Sequence, residues 1–199
     1  MRTARLFGLS VAVLFSSLVI VACGGGGNSD SSQITDAIQT ASTSTDPADC
    51  TKLQTQQFVE QTNYATGPAA LQACQKNAAD TTDNPTSVDV SNVSVNGNNA
   101  TANVTFHGSS LDGSTLTVAL IKDGSQWKLD KITGVPTLNL DAIKRQFAQQ
   151  LQAQGSIPPQ VASCIQNAFS QVTADQVKQV LLNGSQGGLV SLFSGCVGR

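Results

Sequence analysis

The feature that most restricts this chain is a block of period-two alternation between Val88 and Ile132, cut by three turn tetrapeptides. Ala100, Ala102, Val104 and Phe106 alternate with Thr101, Asn103, Thr105 and His107, which puts apolar and polar residues on opposite faces of a strand. Leu116, Val118 and Leu120 repeat the pattern, and Trp127 and Leu129 end it. Between them stand Asn96-Gly97-Asn98-Asn99, Leu111-Asp112-Gly113-Ser114 and Lys122-Asp123-Gly124-Ser125, each rich in the residues that turn a hairpin. Before the first turn the phase slips: Val88 and Val90 alternate, then Val93 and Val95 alternate in the opposite phase. One extra residue in a strand does this, so a β-bulge and a bend are expected there. The reading is a bent, four-stranded antiparallel meander.

Helical spacing flanks the meander on both sides. Gln33 to about Thr43 carries Ile34, Ala37, Ile38 and Ala41 on one face, with Ser31 or Ser32 as its cap. Thr45-Asp46-Pro47 ends it. Ala48 to Asn63 reads as short helix and turn, and Pro68 to about Ala79 as a further helix with proline in its first turn. After Gly134-Val135-Pro136, read as a break, the chain looks all-helical: Leu138 to Gln154, a helix opening at Pro158-Pro159, and one starting at the capping box Thr173-x-x-Gln176. A last short helix holds Leu189, Leu192, Phe193 and Cys196. The fold class is therefore α+β: N-terminal helices packed on a bent four-stranded antiparallel sheet, then a small all-helical C-terminal module.

The N-terminus reads as an address. Arg2 and Arg5 precede an apolar run from Leu6 to Ile20, and Ile20-Val21-Ala22-Cys23 resembles a bacterial lipobox. Residues 1–22 are expected to be a signal peptide cut before Cys23, which would then carry the lipid. Residues 23–32, rich in Gly and Ser, would form a flexible tether. Polar residues follow the apolar run directly, without the basic flank of a stop-transfer segment. Several acyl chains, each buried CH₂ contributing about 0.8 kcal/mol, hold a protein on a membrane without a basic surface. The expected location is the extracytoplasmic face of the bacterial cell membrane.

With Cys23 set aside, Cys50, Cys74, Cys164 and Cys196 remain, an even number in an exported chain, so two disulfides are expected. Of the three pairings, Cys50–Cys74 with Cys164–Cys196 is favoured because each pair lies within a segment of one character. Without Arg2 and Arg5, nine basic residues face thirteen acidic ones, a charge of −4. No basic run is present, and nucleic acid is not an expected partner.

Helical pieces before a bent meander give the chain a resemblance to the NTF2-like (cystatin-like cone) superfamily, in particular to small NTF2-like lipoproteins of Actinobacteria. The segments that carry it are Ala48-Asp49-Cys50-Thr51-Lys52-Leu53, Leu71-Gln72-Ala73-Cys74 and Asp123-Gly124-Ser125-Gln126-Trp127-Lys128-Leu129-Asp130. It covers about Gln33 to Ile132, within an α+β domain expected over residues 33–134. Residues 135–199, with Pro158-Pro159-Gln160-Val161-Ala162-Ser163-Cys164 and Cys196, look like a helical module appended to such proteins. The resemblance implies a conical pocket between sheet and helices, for which Phe58, Tyr64, Val104, Phe106, Val118 and Trp127 are the candidate lining; the same residues can equally fill a solid core.

Such folds host isomerases, dehydratases, ligand carriers and non-catalytic domains, so fold alone assigns no activity. An isomerase of this class needs a carboxylate in an apolar pocket with a Tyr or protonated acid as donor. Asp112 and Asp123 sit in turns, where Asp is favoured for conformation. Asp89 and Asp130 alternate with apolar neighbours and should face solvent. A dehydratase would pair a His with an Asp, and His107, the only histidine, ends the polar face of its strand. No P-loop, dinucleotide fingerprint or metal-ligand spacing occurs, so no cofactor and no metal are expected. The expectation is a non-catalytic envelope lipoprotein whose partner is a small apolar ligand or an envelope protein. The alternatives are a scaffold that docks a partner through its C-terminal helices, and an isomerase or dehydratase using His107 or an aspartate.

Overall fold

A computed structural model describes residues 26–153, 157–185 and 193–196. Among these, four helices, α1 (Gly26–Thr43), α2 (Asp49–Lys52), α3 (Gln56–Asn63) and α4 (Gly67–Ala79), precede the sheet. Its strands are β1 (Ser87–Asn96), β2 (Asn99–His107), β3 (Thr115–Asp123) and β4 (Gln126–Thr137), and α5 (Leu140–Ala153), α6 (Pro159–Ser170) and α7 (Ala174–Asn183) follow. The chain is α+β, with one antiparallel sheet in the order β1-β2-β3-β4.

The meander forms as its alternation requires. Val88 pairs with Phe106, Val104 with Leu116, Ala102 with Val118 and Leu120 with Leu129, all on the face that packs against α1 and α3. The phase slip in β1 is a register shift between Ser91 and Ser94, and Asn92 takes a positive φ of 52° there. The bulge keeps Val90, Val93 and Val95 all against the core despite their opposite phases. The first hairpin differs in detail from the Asn-Gly expectation. Asn96 pairs with Asn99, so the loop is Gly97-Asn98, with the positive φ (60°) on its first residue. That is the type II′ pattern, which glycine in first place permits, and Gly124-Ser125 repeats it.

Two boundaries move. Helix α1 starts at Gly26, inside the segment expected to be a tether, so no serine cap at residues 31–32 begins it. Asp30 holds this added stretch: its Oδ1 accepts from Lys122 Nζ at 2.6 Å and from Trp127 Nε1 at 3.2 Å. The break read at Gly134-Val135-Pro136 is also absent. Strand β4 runs on to Thr137 through three register irregularities, with Gly134 opposite Thr117 and Thr137 opposite Thr115. Proline is tolerated because β4 is an edge strand. The last helix read from Leu189 lies mostly outside the described residues, which retain a 3₁₀ turn at Ser194–Cys196. Cys23 and the signal segment also lie outside them. No described helix is long and apolar enough to cross a membrane.

Both disulfides are present, Cys50–Cys74 tying α2 to α4 and Cys164–Cys196 tying α6 to the last turn. The C-terminal helices share a small core in which the rings of Phe147 and Phe169 stack 3.9 Å apart and Phe193 packs beside them. Thr173 and Gln176 form the capping box of α7 as read.

Candidate functional site

The apolar face of the sheet does not close completely on the helices. Between them lies a cavity of about 230 Å³. Its floor is Val104, Leu116, Val118, Leu129 and Ile132 from the strands; Ile38 and Ala41 of α1 and Phe58 of α3 form the opposite wall. Phe106 and Leu111 stand at one end, and Leu181 of α7 completes the wall. The sheet residues are there because the alternation turns them inward. The helical ones are there because residues 34, 37, 38 and 41 share one face of α1.

Five of the six residues expected to line a pocket do so: Phe58, Tyr64, Val104, Phe106 and Val118. Trp127 does not. It is 1% exposed, but it sits at the other end of the sheet, where its indole donates to Asp30 and its ring lies 5.4 Å from Lys122 Nζ. Of the ten lining residues that sequence reading did not name, two are instructive. Leu181 was assigned to a separate module, yet it packs against both the main core and the C-terminal core. Gln61 is the other, and its polarity hid it.

Gln61 is 8% exposed and fully engaged. Its Nε2 donates to the carbonyls of Ile132 (3.0 Å), Leu181 (3.0 Å) and Leu182 (2.9 Å), and its Oε1 accepts from Ile132 N at 2.8 Å. One amide thus pairs with the free edge of β4 at Ile132 and satisfies the last turn of α7, whose carbonyls have no partner within the helix. The chain passes so close that a Cβ on Gly184 would lie 2.8 Å from Gln61 Cα, and Gly184 has a φ of +60°. Glycine is required there on both counts.

The cavity's polar groups are few. Thr62 Oγ1 donates back to the Phe58 carbonyl at 2.8 Å and, like Gln61, is used by the fold. Ser42 and Tyr64 make no side-chain hydrogen bond among the described residues. Tyr64 caps α3 in the left-handed conformation (φ 53°), and burial holds its phenol above the ordinary value of 10.0, so it is a neutral donor. No Asp, Glu, His, Lys or Arg lines the cavity.

The candidates for acid–base chemistry lie elsewhere. His107 Nε2 is 2.8 Å from Asp89 Oδ2, a pairing of the kind a dehydratase uses. Their side chains are 42% and 77% exposed, and they sit on the outer face of the sheet. Asp130 Oδ1 accepts from Thr55 Oγ1, which in turn accepts from Phe58 N and caps α3. Asp112 accepts from Gly108 N within its loop, and Asp123 pairs with Lys128 across its hairpin. Among the described residues no three His, Cys, Asp or Glu side chains are grouped to hold a metal ion. No family model matches the chain, and neither the curated proteins nor the solved structures contain a match.

Proposed function

We propose that this chain is a lipid-anchored lipoprotein of the bacterial envelope whose NTF2-like domain binds a small, neutral, apolar molecule without transforming it. The observation that carries the binding role is the cavity of about 230 Å³ with an apolar wall and no ionisable side chain except the neutral Tyr64 phenol. An apolar cavity of about 150 Å³ stays dry and takes up benzene, so this one suits a somewhat larger apolar body. It is smaller than the roughly 300–1,000 Å³ of sites for drug-sized ligands. With no cation in the wall, a buried anionic group would be desolvated without compensation, which favours neutral ligands.

Non-catalytic function is supported by where the acids and His107 sit: all are outside the cavity. A binding role is favoured over a pure docking scaffold because α7, part of the helical segment, supplies Leu181 to the cavity wall. The anchor reading rests on Arg2, Arg5, the apolar run and Ile20-Val21-Ala22-Cys23. The test uses the chain from Gly24 onward, which keeps every described residue. N-phenyl-1-naphthylamine should brighten on binding it, and Val118→Phe, which fills the cavity floor, should abolish the signal. Equal binding by both proteins would show that the cavity is not where the probe binds.

A further inference from the structure

The apolar cavity is sealed at one end of the sheet and open at the other, and helix α1 begins at the sealed end. Strands β1 and β2 turn at Gly97-Asn98, and β3 and β4 turn at Gly124-Ser125. Both hairpins lie at the same end, where Lys122 N donates to the Asn98 carbonyl at 2.8 Å. Inward residues near that end, Ile34, Ala100, Leu120 and Trp127, are all buried. Towards the other end the wall loosens. Ala41, Ser42, Thr62, Tyr64, Phe106 and Leu111 line the cavity and are each partly exposed. The mouth is therefore where α1 and α3 finish and β2 ends. Asp30, near the start of α1, is fixed to the base of the second hairpin by Lys122 and Trp127. Cys23 stands three residues before Gly26, where α1 starts, and three residues reach at most about 10 Å.

Resting on the reading that Cys23 carries the lipid, we propose that the domain stands with its hairpin end against the lipid headgroups and the mouth of its cavity turned away from the bilayer, so that ligand is exchanged with the aqueous envelope and not drawn from the acyl layer. The short link from Cys23 to α1 keeps the hairpins close to the anchor. Phe106 stands far from it, seven residues along β2 from Asn99, or about 23 Å. The headgroup layer is only about 5–8 Å deep, so a mouth at that distance opens clear of it. The hairpin end also suits a lipid surface. Its turn residues Gly97, Asn98, Gly124 and Ser125 are exposed, small and uncharged. Its lysines are paired, Lys122 with Asp30 and Lys128 with Asp123, so these four charges cancel and leave nothing for anionic lipids to repel.

The experiment uses the full chain, purified in lipidated form from its own host and reconstituted into vesicles of phosphatidylethanolamine and phosphatidylglycerol. With the disulfides left oxidised, a coumarin is attached to Asn98→Cys at the hairpin end, or to Ser87→Cys, whose position pairs with His107 beside the mouth. Both positions are exposed, so neither change disturbs the core. Energy transfer to a rhodamine on the lipid headgroups is expected to be at least threefold greater from position 98 than from position 87. Equal transfer from both, or more from position 87, would overturn the orientation while the anchor stands. Protein whose mass lacks acyl chains and which does not sediment with the vesicles would overturn the anchor reading, and this proposal with it.

Discussion

Replacing Gln61 by Ala should be among the most damaging changes to a polar residue in this protein. The Gln61 amide is the partner of both the N–H and the carbonyl of Ile132, a residue only 4% exposed. An orphaned buried backbone group costs about 1–3 kcal/mol, so two of them together cost about 4 kcal/mol. The carbonyls of Leu181 and Leu182 lose their partner as well, though water can reach the end of α7. For a chain of this size each kcal/mol moves the melting temperature by about 2–4 °C, which gives a drop of about 8–16 °C. The neighbouring Thr62→Ala removes only a hydroxyl bonded within its own helix turn and should change the melting temperature little. Thermal unfolding followed by circular dichroism measures both, and amide exchange should quicken at Ile132 and in the last turn of α7 in the Gln61 variant alone. A drop under about 3 °C, or unchanged exchange at Ile132, would refute the claim that this amide joins α3, β4 and α7.

Each disulfide closes a loop with a sequence separation of 24 or 32 residues, so replacing either pair by serine should cost about 3.5 kcal/mol in the chain-entropy model, read from urea midpoints. The Asp30 carboxyl is held below its usual 3.8, first by the hydrogen bond from Lys122 and then by that from Trp127. Its contribution is therefore complete above pH 3.8 and lost as pH falls through the lower folded value. Fluorescence of the single tryptophan should stay constant from pH 7 to 5 and change in the acid range, and Asp30→Asn should remove that acid step. Cys23→Ala should move the protein out of the membrane fraction; its remaining there as wild type does would contradict the lipid anchor.

What could be read from the sequence was whatever side-chain spacing alone dictates. The sheet, its bulge and the inward set Val104, Phe106 and Val118 follow from alternation, because a strand has only two faces. The capping box at Thr173 and the two disulfides were legible for the same reason: the interactions are local or the candidates few. Failures came where a distant partner decides. Nothing near Asp30 says that Lys122 and Trp127 will hold it and extend α1 back to Gly26. Nothing near Pro136 says that β4 will be an edge strand able to carry it. Gln61 reads as a solvent-facing helix residue until Ile132 and α7 are brought against it, and Leu181 joins the cavity only because that contact is made. Trp127 has the inward phase expected of a pocket residue, but phase gives the face and not the position along the cavity.

Whether the apolar cavity is occupied can be read by native mass spectrometry. The protein would be released from the envelope of its own host and compared with Val118→Phe prepared in the same way. The wild type should carry a bound neutral molecule that is missing from the variant. The same unliganded mass for both, or the same adduct on both, would contradict it.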